Sequence, residues 1–234
     1  MAVDSQGNGQ IRVERRKPLP AELSLTFGEF LYNLRAALDN CLYAVAIIDS
    51  GQSPPPNATL LEWPITLTPV NWRNNARRLA GLAPEIRQAL EHIQPYNAEA
   101  PDWNCLRILH DLARLDRHRA LHLTTHYAAW GSARVDLAYV ADFQGRVGPL
   151  RGDGVIATFR ALTDEPLSRE QLDLNLVLEV DVEGAEAVPH PITGVLQRPW
   201  GALDQRMRAL LRAVGEYTHG LVEIARDVRG SRPG

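Results

Sequence analysis

The chain has 234 residues, of which 45% are hydrophobic and 23% are charged, and this is typical of a globular protein that needs no disulfides to fold. Its formal net charge of −3 argues against a dedicated duplex-DNA binder, which needs a basic surface. No apolar run approaches the roughly 18 residues of a membrane span, and the polar N-terminus has no secretion-signal core. We therefore expect a cytoplasmic protein.

The chain begins with a polar segment. We predict a flexible arm over residues 1–19, in which 11–17 could alternatively form an edge strand. A long helix is predicted over 21–49, because seven apolar residues recur there at helical spacing. They are Phe27, Phe30, Leu31, Leu34, Leu38, Leu42 and Val45.

Shorter elements follow the first helix. Residues 63–66 read as a short extended piece, and two short helices are predicted near 70–80 and 84–93. A further helix is predicted over 102–117, with Asp102 as its N-cap.

From residue 119 the apolar residues recur with a period of two, which is typical of half-buried strands. Strands are predicted at 121–128, 134–143, 154–162 and 174–182. Because no helical pattern separates them, we expect them to form an antiparallel sheet. A long helix over 200–228 and a loose tail over 230–234 complete the chain.

These elements predict an α+β fold, in which a bundle of N-terminal helices and a long C-terminal helix packs with a four-stranded antiparallel sheet. We predict one domain over 20–229. Its helical part would cover 20–118, its sheet 119–183 and its closing helix 200–229.

Four polar residues fall within a sector of roughly 60° on the helix predicted near residue 110. They are Arg107, Asp111, Arg114 and His118. Two guanidiniums could hold a phosphate or carboxylate, with Asp111 orienting them and His118 moving a proton. The alternative is a solvated helix face with i,i+4 ion pairs worth a few tenths of a kcal/mol.

Asp116 and Arg119 both lean toward the apolar side of the same helix. A carboxylate in that position needs a partner, so we predict a buried structural ion pair at the corner between helix and strand.

On the first helix, Asn33 and Arg35 are two further candidates for ligand binding. Asparagine is unfavourable inside a helix, so a contact with a ligand or with a neighbouring helix would explain Asn33. The alternative role for both residues is a structural polar bridge between helices.

Metal and cofactor sites are not predicted. His118, His122 and His126 recur every four residues, but the period-two pattern puts the last two on a strand, where such neighbours lie about 13 Å apart. The sequence also lacks a phosphate-binding glycine loop, a dinucleotide fingerprint and a serine-based triad.

Four short motifs occur in a fixed order between residues 20 and 125. They are Asn33-Leu34-Arg35 with Leu38-Asp39, Trp63-Pro64-Ile65, Gln94-Pro95-Tyr96, and Asp116-Arg117-His118-Arg119. In these motifs the chain resembles a group of uncharacterised bacterial proteins that is common in actinobacteria. The resemblance implies ancestry rather than a particular activity.

The chain also resembles, more distantly, the HEPN domains, which are helical bundles with an arginine and a histidine separated by four to six intervening residues. Here Asn40 stands where Arg35 would require the histidine, and Arg114 precedes His118 by three intervening residues. This resemblance implies a homodimer and a metal-independent RNase, in which Arg35 or Arg114 stabilises the phosphate and His118 acts as acid or base.

Three functional hypotheses follow. The first is a protein that binds an anionic small molecule or partner through an Arg/His face of its helical half. The second is a HEPN-like RNase of a toxin or defence system, with RNA as its partner. The third is a small-molecule enzyme of secondary metabolism.

Overall fold

The computed structural model describes residues 2–14, 17, 19–118, 123–146, 148–149, 154–182 and 187–232. The chain folds into two compact units. The strand unit consists of Met1–Ala21 and His122–Ala185, and the helical unit consists of Glu22–Leu121 and Glu186–Gly234. A single domain was predicted over 20–229. The strands make their close contacts with one another and with the N-terminal segment, and the single domain stays a prediction.

The described elements confirm an α+β fold with a long C-terminal helix and a four-stranded antiparallel sheet. The helices are α1 (Ala21–Ser50), α2 (Pro69–Asn75), α3 (Pro84–His92), α4 (Cys105–His118) and α5 (Leu203–Gly230). The strands are β1 (Ala2–Val3), β2 (Asn8–Arg12), β3 (Leu123–Val135), β4 (Val140–Gly145), β5 (Gly148–Pro149), β6 (Val155–Ala161), β7 (Leu172–Val182), β8 (Val188–Pro189) and β9 (Leu196–Gln197).

One apolar face of α1 is buried in the helical unit. Its buried apolar residues follow the helical spacing expected from the sequence: Phe27, Leu31, Leu34, Leu38, Leu42 and Val45. The last helix, α5, contacts both α3 and α4. None of the helices in the described part of the chain is long and apolar enough to cross a lipid bilayer.

Local capping explains where the shorter helices begin. The Thr68 side chain accepts a hydrogen bond from the backbone N–H of Asn71, and Pro69 occupies the first turn of α2. Asn104 caps α4, because its Oδ1 accepts from the backbone N–H of Leu106 at 2.9 Å. We predicted Asp102 as this cap, but residues 101–103 form a separate 3₁₀ turn ahead of the helix.

The four-stranded sheet of the strand unit has the order β1-β2-β6-β4. The predicted sheet membership is therefore wrong in part. The long strands β3 and β7 pair with each other, from Leu123 opposite Val182 to Val135 opposite Leu172, and form a second sheet with β5. In the four-stranded sheet β2 lies beside β6 and β1 pairs with β2, so residues 2–3 and 8–12, which we placed in a flexible arm, form strands.

A turn and a glycine explain why the N-terminal segment forms strands. The Asp4 carboxylate accepts hydrogen bonds from the Asn8 side chain and from the backbone N–H groups of Asn8 and Gln6, and these bonds lower the pKa of Asp4. On β2, Gly9 lies opposite Phe159 of β6. Any side chain at position 9 would overlap the Phe159 ring, because a Cβ there would lie 2.1 Å from it. The absence of a side chain lets the ring lie across the strand.

The core of the strand unit is formed by apolar residues of β4, β6 and β7. Val140, Phe159 and Leu172 are buried together there, with Ile11 from the N-terminal segment packed against them. This contact ties β2 to the rest of the unit through apolar burial as well as backbone pairing.

Candidate functional site

The extended segment 63–66 is held in place by two polar side chains, the half-buried Asp39 and the buried Gln94. Asp39 of α1 accepts a hydrogen bond from the backbone N–H of Trp63 at 2.8 Å. Gln94, just beyond α3, binds the other end of the segment. The segment therefore has a fixed backbone between α1 and the end of α3.

Gln94 is 0% exposed and uses both ends of its amide. Its Oε1 accepts from the backbone N–H and the hydroxyl of Thr66, at 2.8 and 3.0 Å. Its Nε2 donates to the carbonyl oxygens of Pro64 and Leu90, at 3.0 and 2.8 Å. A neutral amide can satisfy two donors and two acceptors in this way, so the role of Gln94 is structural.

Beside this segment lies a pocket with a cavity volume of about 110 Å³. It is lined by polar and apolar side chains from three parts of the helical unit, namely α1, residues 62–79 and α4. The lining residues are Arg35, Glu62, Trp63, Pro64, Ile65, Thr66, Asn75, Arg78, Leu79 and His110.

The Glu62 carboxylate bridges two arginines in this pocket. Its Oε1 lies 3.6 Å from Nη2 of Arg35, and its Oε2 lies 2.9 Å from Nη1 of Arg78. The Arg35 side chain is only 12% exposed, whereas that of Glu62 is 52% exposed. Two guanidiniums and one carboxylate leave the pocket with a net formal charge of +1.

Two aromatic side chains complete the polar lining. His110 of α4 contributes an imidazole, which can donate, accept or carry a proton. The Trp63 side chain is 1% exposed, and its indole N–H has no hydrogen-bond acceptor among the described residues. The pocket thus combines fixed positive charge with a histidine.

The predicted stripe on α4 lies outside this pocket. Arg107 pairs with Asp102 at 2.9 Å and with Asp111 at 3.6 Å, so two carboxylates already match its single charge. Arg114 is exposed. The side chain of His118 lies outside the described residues. In the described part of the chain, the stripe forms a solvated helix face that contains the i,i+4 ion pair between Arg107 and Asp111.

The two candidates on α1 point in different directions. Asn33 is exposed, whereas Arg35 lines the pocket. Arg35 is thus the one predicted ligand-binding residue that the structure places in the pocket, and its neighbours there are Glu62, Arg78 and His110.

Asp116 lies against α1 at Gly28. A Cβ at position 28 would be 2.9 Å from Oδ1 of Asp116, so glycine allows this carboxylate to approach the helix backbone. Its predicted partner Arg119 lies outside the described residues, and the predicted structural ion pair therefore stays a prediction.

Sequence reasoning missed Glu62, Arg78 and His110. Two of the three sit next to a residue that drew attention for another reason: Glu62 precedes Trp63, and His110 precedes Asp111. A weak signal was present in the motif that contains Arg35, because charged residues on an otherwise apolar helix need partners from another element.

Metal-ligating and nucleophilic side chains in the described part of the chain form no competing site. The described residues contain no cluster of three or more His, Cys, Asp or Glu side chains that could hold a metal ion. Burial raises the pKa of Cys41 and of Cys105 to about 11, so both thiols are protonated at neutral pH. A protonated thiol is a poor nucleophile, and we assign the cysteines no chemical role.

The fold and the site together define an α+β protein with a small, positively charged pocket in its helical unit. Comparison with protein-family models, with curated proteins and with solved structures found no match for this chain.

Proposed function

We propose that the helical unit binds a small anionic ligand, in the cytoplasm, through the pocket formed by Arg35, Arg78 and His110. The observation that carries this proposal is the convergence of two guanidiniums from separate elements on a single carboxylate beside a cavity. Arginine presents a planar set of donors that matches carboxylate and phosphate oxygens, so such a pair is suited to an acidic group.

Charge balance favours this pocket over the α4 stripe. The pocket keeps a net charge of +1, whereas Arg107 with Asp102 and Asp111 has a net charge of −1. Arg35 is also largely shielded from water, and the attraction between charges is stronger where solvent screens them less. An anion therefore gains more at Arg35 than on the exposed helix face.

The cavity limits the size of the ligand. Pockets for drug-sized molecules enclose about 300–1,000 Å³. A cavity of about 110 Å³ instead fits the acidic head of a small molecule, or the acidic end of a longer one that extends into solvent.

The proposal is tested by replacing one arginine of the pocket. Arg35→Gln should weaken the binding of a small anion, such as acetate or inorganic phosphate, at least tenfold in isothermal titration calorimetry, because it removes the most shielded positive charge. Arg208→Gln is the matched control, since Arg208 is exposed and pairs only loosely with Asp204, at 3.8 Å. Equal binding by the wild type and by Arg35→Gln would refute the proposal.

A second candidate is a metal-independent RNase, the alternative predicted from the sequence. One observation favours it: Arg35 and His110 line the same pocket, and this pairs a phosphate-binding guanidinium with a residue type that transfers protons near neutral pH.

For an RNase, the purified protein should cleave RNA in the presence of EDTA, and His110→Ala should reduce the rate at least a hundredfold. The exposed His92 provides the control, as His92→Ala should leave the rate unchanged. His118→Ala distinguishes the pocket from the site predicted on α4. No cleavage by micromolar enzyme would eliminate this candidate.

A further inference from the structure

We propose that Glu62 is an internal occupant of the anion position, and that the ligand is a carboxylic acid whose carboxylate takes the place of the Glu62 side chain. This inference rests on the proposed function and specifies both the ligand class and how access to the pocket is controlled.

The geometry around Glu62 indicates a carboxylate. Its two oxygens lie against different guanidiniums, Oε1 against Arg35 and Oε2 against Arg78. A planar anion with two oxygens therefore bridges the pair, and a ligand carboxylate can reproduce the same contacts. The side chain of Glu62 shows which chemistry the two arginines accept.

The contact is strong on one side only. The 2.9 Å distance to Arg78 is that of a charge-assisted hydrogen bond, but the 3.6 Å distance to Arg35 is too long for one. The Glu62 carboxylate is half exposed, and solvent weakens the ion pairs of an exposed carboxylate. Glu62 therefore contacts Arg35 without a hydrogen bond, and a ligand carboxylate that comes within hydrogen-bonding distance of the Arg35 guanidinium can displace it.

Exchange requires movement of one side chain and leaves the backbone in place. The neighbouring backbone is fixed, because Asp39 accepts the N–H of Trp63 and Gln94 holds Thr66. The Glu62 side chain, in contrast, is half exposed and can rotate into solvent. Arg35 is largely buried and keeps its position during the exchange.

The decisive variant is Glu62→Gln, which keeps the shape of the side chain and removes its negative charge. It should lower the Kd for acetate at least tenfold, because acetate no longer competes with an internal carboxylate. Glu85→Gln is the control, since it removes an equal charge from an exposed position in the first turn of α3. Glu62→Asp is a second variant, whose shorter side chain cannot reach both arginines, and it should also lower the Kd.

The double variant Glu62→Gln/Arg35→Gln separates the two proposals. If the gain in affinity disappears in the double variant, exchange at Arg35 is supported. If Arg35→Gln abolishes binding but Glu62→Gln and Glu62→Asp leave the Kd unchanged, the exchange is wrong and the anion pocket stands. Tighter binding of inorganic phosphate than of acetate by Glu62→Gln overturns the carboxylate assignment. If neither the wild type nor Glu62→Gln binds any anion, both proposals fail.

Discussion

Replacing Gln94 with leucine is expected to lower the free energy of unfolding by about 3–5 kcal/mol. Leucine fills a similar volume but has no polar atoms, so the N–H and hydroxyl of Thr66 and the carbonyl of Pro64 lose their partner in a fully buried place. Each buried polar group left without a hydrogen bond costs roughly 1–3 kcal/mol. Urea denaturation followed by circular dichroism would measure the change as a lower midpoint.

The control for this substitution is Gln88→Leu, on the exposed face of α3, which should change stability by less than about 0.5 kcal/mol. Gln94→Glu offers a stricter comparison. It keeps an acceptor for Thr66 but replaces the donor that binds Pro64 and Leu90, so it should also destabilise the helical unit. A Gln94→Leu protein as stable as Gln88→Leu would show that the segment 63–66 is not held by this amide.

Gln94 also shows what the sequence motifs contribute. Three of the four motifs that occur in fixed order between residues 20 and 125 converge at the pocket: one supplies Asp39 and Arg35, one Trp63 and one Gln94. Asp39 and Gln94 fix the backbone, whereas Arg35 faces the cavity. Residues of these three motifs therefore help to build the pocket, whereas Glu62, Arg78 and His110, which also line it, lie outside the motifs.

Each helix could be predicted from the sequence, because the spacing of its apolar residues depends only on that helix. In α1 the spacing of Leu31, Leu34 and Leu38 identifies the buried face without knowledge of what covers it. The composition of the sheet could not be predicted in the same way. A period of two identifies a strand but not its neighbour, and β2 carries a weak pattern whose pairing depends on Gly9 accommodating Phe159.

Only part of the candidate site could be predicted, because helical periodicity relates residues of the same helix and not residues of different elements. Helical periodicity correctly brings Arg107 and Asp111 within reach of each other on α4. It gives no information about Asp102, which lies in the preceding 3₁₀ turn and also matches the charge of Arg107. The pocket depends on contacts among α1, residues 62–79 and α4, and such tertiary contacts leave no periodic signal.

Replacing Arg232 with alanine is expected to lower the free energy of unfolding by about 3 kcal/mol, although the side chain is 43% exposed and lies two residues beyond α5. The reason is its partner, Asp49, which is 2% exposed at the end of α1. Arg232 donates to both the carboxylate and the carbonyl oxygen of Asp49. Without it, the buried Asp49 carboxylate keeps, among the described residues, one hydrogen bond, from the backbone N–H of Ala83. This residue belongs to the segment 230–234, which we predicted as a loose tail.

The matched control is Arg208→Ala, which removes an arginine from an exposed i,i+4 pair and should cost less than about 0.5 kcal/mol. Because the loss in Arg232→Ala arises from an uncompensated buried charge, Asp49→Asn in the same chain should restore at least half of it: asparagine can still accept from Ala83 and carries no charge. Urea midpoints of the three variants and the wild type provide the measurement. If Arg232→Ala is no more destabilising than Arg208→Ala, the contact between Arg232 and Asp49 does not anchor the end of α5 to α1.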